Sequence, residues 1–298
     1  MLRRMALRKI IVSSLSLLLL LLFLIIPTNN KNNKEKSITY DNMVKVPVYL
    51  KGPNNYVSRI NIDLKEQSIP YIIDLLTINN QNNILIPHGF QAVIPPNTKL
   101  IDYYIKDNIL TLNFSQEFYN ISSNNEEIMI ESLIYSLCEL KDINGINILI
   151  NGEKLNNLPH SNKILPTILD YQYGINKIYD LNSLKESKQT TIYYLSNYEN
   201  INYYIPITKI NNNDHSKIEI IVNELRKTPY INANLSNYLK ASYELKEYEI
   251  LDNAIKLTFD NHLLAGLNDQ NMEEELKYIL TLSIRDTYNI DNITINIS

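Results

Sequence analysis

Apolar and polar positions follow the same order twice along this chain. Residues 105–114 read IKDNILTLNF and residues 250–259 read ILDNAIKLTF, so an Asp-Asn pair is followed in both by apolar residues at every second position. This alternation is typical of a half-buried strand that leaves a tight turn. The sequence therefore predicts a β-hairpin at each place.

Helical periodicity surrounds each predicted hairpin. Apolar residues recur with helical spacing in a short segment before each hairpin and in a helix after it, at 69–76 and 130–137 in the first copy and at 218–225 and 276–284 in the second. An alternating strand closes each copy, at 146–150 and 293–297. With the strands that begin the copies, at 46–50 and 191–195, each copy has the predicted order β-α-β-β-α-β.

Polar residues before these segments predict how the helices are capped. Ser68 and Ser216 precede the short helices, and Glu219 follows Ser216 at capping-box spacing. Ser123 and Glu126 show the same spacing before the first long helix. We therefore expect side-chain caps at these helix starts.

The repeat predicts an α+β fold made of two tandem copies of a small helix-on-sheet domain. Domains of roughly 100 to 150 residues are common, and a chain of 298 residues accommodates two. We expect the domains at 44–155 and 188–298, with an interdomain segment at 156–187. That segment is too apolar for a simple linker, so we expect part of it to be ordered.

An uncharged, mostly apolar run from Ile10 to Ile26 follows four basic residues. As a helix it spans roughly 26 Å, close to the thickness of the hydrocarbon core of a bilayer. We expect residues 1–27 to be an uncleaved membrane anchor, with a cleaved signal as the alternative, and residues 28–43 to be a flexible polar tether. The flanking charges then predict that the domains lie outside the cytoplasm.

Composition argues against several function classes. After the four early basic residues, 24 basic residues (28 − 4) face 32 acidic ones, and a net charge near −8 disfavours nucleic-acid binding. Cys138 is the single cysteine, which excludes an intramolecular disulfide and a Cys-based zinc site, and we expect it to be buried. Six scattered glycines and four separated histidines form no phosphate loop and no helical zinc motif. We expect no catalytic residue, no metal and no cofactor.

Carboxylates and tyrosines remain as candidates for a site. Glu126 and Glu127, and the three glutamates at 273–275, could be imagined as the acid pairs of a sugar hydrolase, but their predicted place at helix starts favours interaction with the helix dipole. The chain has 22 tyrosines, several in doublets, and successive strand residues point to opposite faces. We expect Tyr104 and Tyr193 to point outward and to form an interaction surface.

The two copies resemble the tandem domains of GerM-type sporulation and spore-germination proteins. The resemblance is clearest in the first copy, where IPPNTKL at 94–100 precedes the hairpin and NFSQEF at 113–118 closes it. The second copy retains LRKTP at 225–229 after its short helix and has FDNH at 259–262 in place of the serine box. The resemblance extends over roughly 44–155 and 188–298.

This resemblance implies a non-enzymatic scaffold protein, tethered to the mother-cell membrane and facing the forespore. Such a protein helps to assemble or stabilise the transenvelope complex between the two cells. Its domains are similar to ring-building motifs, so the resemblance implies contacts with sporulation channel proteins and self-association. Two alternatives remain open: an envelope module that binds peptidoglycan through outward tyrosines, and a peptidoglycan hydrolase with dispersed carboxylates.

Overall fold

A computed structural model describes residues 43–181, 186–227, 235–236, 244–260 and 270–297. The anchor expected at 1–27 and all but the last residue of the tether expected at 28–43 lie outside these ranges. Among the helices that the structure describes, none combines the length and the apolar character needed to cross a bilayer. The fold is α+β, as predicted.

The first copy begins with a hairpin and continues with the predicted elements. In chain order these are β1 (Val44–Lys51), β2 (Val57–Leu64), α1 (Ile69–Leu76), β3 (Leu100–Lys106), β4 (Ile109–Phe114), α2 (Glu126–Leu137), β5 (Gly145–Ile150) and the short β6 (Glu153–Lys154). A 3-10 turn at Tyr171–Tyr173 and β7 (Ile178–Asp180) follow in the interdomain segment.

The second copy repeats this order. Its elements are β8 (Lys188–Tyr198), β9 (Ile201–Asn211), α3 (Lys217–Arg226), β10 (Leu235–Ser236), β11 (Leu245–Leu251), β12 (Ala254–Phe259), α4 (Gln270–Tyr288) and β13 (Ile293–Ile297). The four helices predicted from apolar periodicity are thus confirmed, and the apolar residues of that periodicity are buried in all of them.

Each copy holds two strands more than the order β-α-β-β-α-β. One is a two-residue strand, β6 or β10. The other is β2 or β9, which returns from β1 or β8 before the short helix. Glu199 and Asn200 form the second turn with φ values of 48° and 65°, the conformation of a two-residue hairpin turn. Such turns usually contain glycine, and none is present here, which explains why the sequence pattern did not reveal the hairpin.

Strands of both copies form one sheet. Its order is β1-β2-β9-β8-β10, and β7 also pairs with β9. The copies join where β2 and β9 run antiparallel, with Arg59 opposite Tyr204. Each copy also has a smaller sheet of its own, β3-β4-β5-β6 in the first and β11-β12-β13 in the second. A single hydrophobic core includes residues of both copies.

The described part of the interdomain segment is ordered, as expected. It buries Leu158, Leu165 and Leu169, and a backbone bridge joins Leu169 to Ile146 at the edge of the first copy. Further along, β7 pairs in parallel with β9. The segment therefore packs against both copies.

The predicted caps differ in outcome. Ser216 forms its capping box, because its hydroxyl accepts from the Glu219 amide at 3.2 Å and the Glu219 carboxylate accepts from the Ser216 amide at 2.7 Å. Ser68 lies at the N-cap position, but its hydroxyl donates to Glu66 at 2.7 Å. The box predicted from Ser123 is absent, since α2 begins after Asn125, which makes no side-chain cap bond.

Candidate functional site

A local two-fold arrangement of two tyrosines marks the junction between the copies. The Tyr49 amide N–H donates to Ser136 Oγ at 2.9 Å, and the Tyr193 amide N–H donates to Ser283 Oγ at 3.0 Å. The two phenol oxygens lie 2.7 Å apart. The same strand-to-helix contact is made once in each copy, and the tyrosine hydroxyls meet where the copies join.

Four charged side chains surround these hydroxyls and form the inter-repeat ion cluster, which consists of Arg59, Glu139, Arg285 and Asp286. Glu139 accepts from Arg59 Nε at 3.1 Å and from the Arg285 guanidinium at 2.9 and 3.1 Å. Asp286 accepts from Arg285 Nε at 2.7 Å. The side chains of Arg59, Glu139 and Asp286 are 5%, 7% and 0% exposed, and that of Arg285 is 18% exposed.

The pKa values of the two acids in the cluster are shifted in opposite directions. Burial alone would raise the pKa of Glu139, but Arg285 and Arg59 outweigh burial and lower that pKa to about 2. Burial raises the pKa of Asp286, and the neighbouring Glu139 charge raises it further against the opposing effect of Arg285. Glu139 is therefore the permanent anion of the cluster.

A hydrogen-bonded chain joins the two acids through the tyrosines. The Tyr49 hydroxyl donates to Glu139 at 2.9 Å, the Tyr193 hydroxyl donates to Asp286, and the two phenol oxygens are within hydrogen-bond distance of each other. The acid of each copy is therefore linked to the other through the tyrosine pair.

The cluster holds the copies in one orientation. Arg59, Glu139 and Asp286 are buried, Arg285 reaches solvent in part, and Arg59 Nη1 is a buried nitrogen with no hydrogen-bond partner among the described residues, so the chemistry of the cluster is that of a largely buried polar network. Such networks add little net stability compared with apolar packing, but breaking one partner is costly. A repeated sequence pattern marks this site. Ser136 and Glu139 in the first copy, and Ser283 and Asp286 in the second, form a Ser-x-x-acid pattern at or just after the end of the long helix.

Asn176 joins the copies beside this cluster. Its side-chain Oδ1 accepts from the Val57 amide at 2.9 Å, and its Nδ2 donates to the carbonyl of Val57 at 2.8 Å and to that of Pro206 at 2.7 Å. Val57 belongs to β2 and Pro206 to β9, so one amide group bridges the strands of both copies. Asn176 has φ 48°, a left-handed conformation that asparagine tolerates better than most residues.

The structure places the two predicted surface tyrosines in different environments. Tyr104 on β3 is 56% exposed, as expected. The prediction for Tyr193 is wrong, because this ring is fully buried and belongs to the tyrosine pair described above. Its strand lies inside the shared sheet and is packed by both α3 and α4, so its neighbour Tyr194 is buried as well.

The candidate acid clusters are bound to other parts of the fold. Glu126 is buried and accepts from the amides of His160 and Ser161, both at 2.9 Å, which ties the interdomain segment to the start of α2. Glu127 pairs with Lys163 at 2.5 Å. Glu275 accepts from the Tyr204 hydroxyl and lies in the second turn of α4, which begins at Gln270, so its predicted place in the first turn is wrong. These contacts give the carboxylates structural roles.

Metal-ligating residue types are dispersed. Within the described ranges, no group of three or more His, Cys, Asp or Glu side chains is placed to hold a metal ion. Cys138 is buried, as predicted, and burial raises the pKa of its thiol. His262 and the expected lone Gly266 lie outside the described residues.

Two sheet edges expose apolar side chains at equivalent places in the copies. In the described part of the chain, β3 pairs only with β4, and β11 pairs only with β12. On β3, Tyr103 and Ile105 are 43% and 52% exposed, and on β11, Tyr248 and Ile250 are 38% and 48% exposed. We call these strands the β3 edge and the β11 edge.

A groove separates each edge from the short helix of its copy. The groove beside the β3 edge has a volume of 740 Å³ and is lined by Pro70, Ile73 and Tyr103 among others. The groove beside the β11 edge has a volume of 540 Å³, and its lining includes Val222 and Tyr248. The grooves arise because α1 and α3, of eight and ten residues, span only about 12 and 15 Å.

Comparisons with known proteins agree with this architecture. The family model described as "Germane: Sporulation and spore germination" matches residues 39–156, which contain the first copy. The spore germination protein GerM of Bacillus subtilis strain 168 is 24% identical over 258 residues, 84% of this chain and 70% of that protein.

One solved structure shows the same fold over most of the chain. The tandem GerMN domains of the sporulation protein GerM from Bacillus subtilis have a TM-score of 0.75 at 24% identity, and the match covers 86% of this chain and 91% of that one. The first GerMN domain of the same protein is 25% identical, covers 43% of this chain and 98% of that one, and has a TM-score of 0.41.

Proposed function

From its confirmed resemblance to GerM-type sporulation and spore-germination proteins, we propose that this chain is a non-enzymatic, membrane-tethered scaffold protein of the envelope machinery that serves sporulation and germination. Its task in this proposal is to help assemble or stabilise the transenvelope complex between mother cell and forespore. The apolar run at 10–26 supplies the membrane tether, and the two copies stand outside the cytoplasm on the mother-cell membrane.

The observation that carries the proposal is that the two copies are fixed to each other by buried contacts, while two edge strands remain exposed. The shared sheet, the inter-repeat ion cluster and Asn176 fix the copies to each other. The β3 and β11 edges leave backbone groups and apolar side chains available for partners. A rigid body with separate contact edges suits a protein that positions other proteins.

The partners in this proposal are sporulation channel proteins and further copies of the chain. Purification of the tagged full chain from sporulating cells, after cross-linking, tests the first group. We expect channel proteins to be enriched over a sample from vegetative cells. Equal recovery from both samples, with no channel protein above background, contradicts the proposal.

The exposed pair Tyr103 and Tyr104 favours one second candidate, an envelope module that binds peptidoglycan. Sedimentation with purified cell wall separates the two functions. The scaffold function predicts that the protein stays in the supernatant, and that the double variant Tyr103→Ser/Tyr104→Ser behaves in the same way. Co-sedimentation that this variant abolishes would establish the wall-binding function in place of the scaffold.

A zymogram on cell wall tests the hydrolase alternative. We expect no clearing by the wild-type chain. Clearing that Glu126→Gln and Glu127→Gln remove would contradict a non-enzymatic function.

A further inference from the structure

The two copies differ at one edge of their small sheets. β5 and β13 are equivalent strands, since each follows the long helix of its copy and pairs in parallel with the second strand of the repeated hairpin. Ile146 pairs with Leu110 and Ile293 pairs with Ile255, so Ile146 corresponds to Ile293. The outer edge of β5 is covered, whereas β13 pairs only with β12 in the described part of the chain.

The interdomain segment covers the outer edge of β5. Ile146 and Leu169 exchange two backbone hydrogen bonds, at 2.8 and 3.0 Å, and the Leu155 amide donates to the Ile148 carbonyl at 2.9 Å. Leu155 and Leu169 are buried and belong to the hydrophobic core. Under this cover Ile146 and Ile148 are 0% and 2% exposed.

The equivalent backbone groups of β13 point outward. The Ile255 amide donates to the Asn292 carbonyl at 2.9 Å, and residues of a parallel strand alternate between the neighbours on its two sides. The N–H and C=O groups of Ile293 and Ile295 are therefore directed away from β12, and no described backbone group pairs with them. Their side chains are only partly buried, unlike those of the equivalent β5 residues.

We propose that the outer edge of β13 binds an extended segment of a second protein, which adds to the sheet as a strand antiparallel to β13. The segment carries two aliphatic side chains two positions apart, one opposite Ile293 and one opposite Ile295. This spacing follows from the first copy, where leucines lie opposite both Ile146 and Ile148. In strand addition, main-chain hydrogen bonds provide affinity and alternate side chains provide specificity.

The first copy also indicates why the occupant is an extended segment and not the folded edge of another sheet. β6 pairs with β5 for two residues, and the chain then leaves the edge so that Leu158 and Leu165 join the core, at 1% and 6% exposure. A strand that is held in its own sheet, as β3 and β11 are, cannot turn in this way. The covering segment of a second copy is already bound to its own β5. These constraints favour a different protein as the partner.

Photo-cross-linking in sporulating cells tests which chain occupies the edge. Sporulating cells are used because the inference rests on the proposed function for where the partner occurs. The full chain carries benzoylphenylalanine in place of Asn296, an exposed β13 residue, or in place of Leu149, the equivalent residue of the covered β5. We expect position 296 to cross-link a second protein at a segment with aliphatic residues two positions apart, and position 149 to cross-link only within the chain.

A proline at the edge tests whether the backbone makes the contact. Ile295→Pro removes an outward N–H and leaves the hydrogen bonds to β12, which the neighbouring residues make. Ile295→Val is the matched control, because valine has as many side-chain carbons as proline and keeps the N–H. We expect cross-linking from position 296 to fall about tenfold with proline and to stay near the wild-type value with valine.

Hydrogen exchange on the purified full chain tests the pairing without a variant. In the chain alone, we expect the Ile293 amide to exchange faster than the Ile146 amide, which is bonded to Leu169. The partner segment that the cross-link identifies is then synthesised as a peptide and added. We expect the peptide to slow exchange at Ile293 and Ile295 and to leave exchange at Ile146 unchanged.

Each other result overturns the inference. Slow exchange at Ile293 in the chain alone shows that the edge is already covered, and exchange that the peptide leaves unchanged excludes strand pairing. A cross-link from position 296 within the chain or to a second copy identifies a different occupant. Equal loss of cross-linking in both Ile295 variants excludes a contribution of the N–H.

The outcome for this edge is separable from that for the proposed function. Absence of any cross-link from position 296, together with recovery of channel proteins by the tagged chain, would remove this inference and leave the proposed function intact. A paired segment that belongs to some other protein, with no channel protein recovered, would support strand addition at β13 and contradict the proposed function.

Discussion

Single residues at the junction decide how the copies are held, and the two acids of the ion cluster do so in different ways. Glu139 is a buried anion between two arginines, whereas Asp286 is a fully buried carboxyl with a raised pKa that accepts from the Tyr193 hydroxyl and from Arg285. The amide of asparagine can still accept the Tyr193 hydrogen bond at position 286, but the amide of glutamine at position 139 cannot neutralise two guanidinium groups.

We therefore predict that Glu139→Gln lowers the free energy of unfolding at pH 7 by about 3 to 5 kcal/mol and that Asp286→Asn lowers it by less than about 1 kcal/mol. Urea denaturation of the two variants measures both values. Glu153→Gln, at an exposed strand position, is the control for the loss of one carboxylate. Equal costs for the two variants would contradict the conclusion that Glu139 is the main anionic partner of the two arginines.

The cost of Glu139→Gln is expected to depend on pH. The pKa of Glu139 is lowered from 4.5 to about 2, so its contribution to stability is fully present above pH 4.5 and is lost as the pH falls toward 2. Asp286 has the opposite sign, because its raised pKa favours the folded state at low pH. The stability difference between wild type and Glu139→Gln should shrink between pH 4.5 and 2, and a constant difference would exclude Glu139 as the source.

Asn176 is the second residue on which the junction depends. We predict that Asn176→Ala lowers the free energy of unfolding by about 2 to 3 kcal/mol, since three hydrogen bonds to β2 and β9 are lost and alanine is strained at φ 48°. Asn97→Ala, at an exposed asparagine with φ 66°, is the control that measures the cost of placing alanine in the left-handed conformation. If both variants cost the same, the bridging amide contributes nothing beyond its backbone conformation.

At the scale of secondary-structure elements, apolar periodicity predicted some helices and strands and missed others. The spacing of apolar residues identified the helices and the repeated hairpins, although burial extends around most of α2 and over both faces of β4. The sequence pattern missed β9 because its turn, Glu199-Asn200, lacks glycine, and it missed β2 because burial from Val57 to Ile60 does not alternate. Tyr193 was misplaced for a related reason: the alternation rule assumes one open face, whereas β8 lies inside the shared sheet, is packed by α3 and α4, and buries Tyr193 and Tyr194 alike.

Helix caps offer a test at this scale, because two N-cap serines differ only in whether they cap. We predict that Ser216→Ala lowers the free energy of unfolding by about 1 kcal/mol, since the Glu219 amide loses its acceptor. Ser68→Ala should change it by only a few tenths of a kcal/mol, because the Ser68 hydroxyl donates to Glu66 instead. Guanidinium denaturation midpoints measure both. A larger loss at Ser68 would show that the bond assignments are reversed.

The whole molecule is organised by the shared sheet, which no pattern within one copy predicts. Pairing between β2 and β9 is a long-range contact between two similar units, and local periodicity carries no information about it. The Ser-x-x-acid pattern is the sequence feature that corresponds to this contact. The pattern alone does not predict the contact, because it does not show that Tyr49 and Tyr193 meet.

One core and one shared sheet predict that the copies unfold together. We expect hydrogen exchange to give β1 and β2 the same opening free energy as β8 and β9, because opening either hairpin exposes the core of both copies. Native-state exchange measured by mass spectrometry determines these values. Two separate sets of protection, one for each copy, would show that the junction does not couple them.

The central claim is that this chain is a scaffold of the sporulation envelope, and localisation of a fluorescent fusion through sporulation tests it most directly. The measurement is made in host cells with and without the channel proteins. The account predicts a focus or band at the membrane between mother cell and forespore that disperses when the channel proteins are removed. Uniform envelope fluorescence that is the same in vegetative and sporulating cells would contradict it.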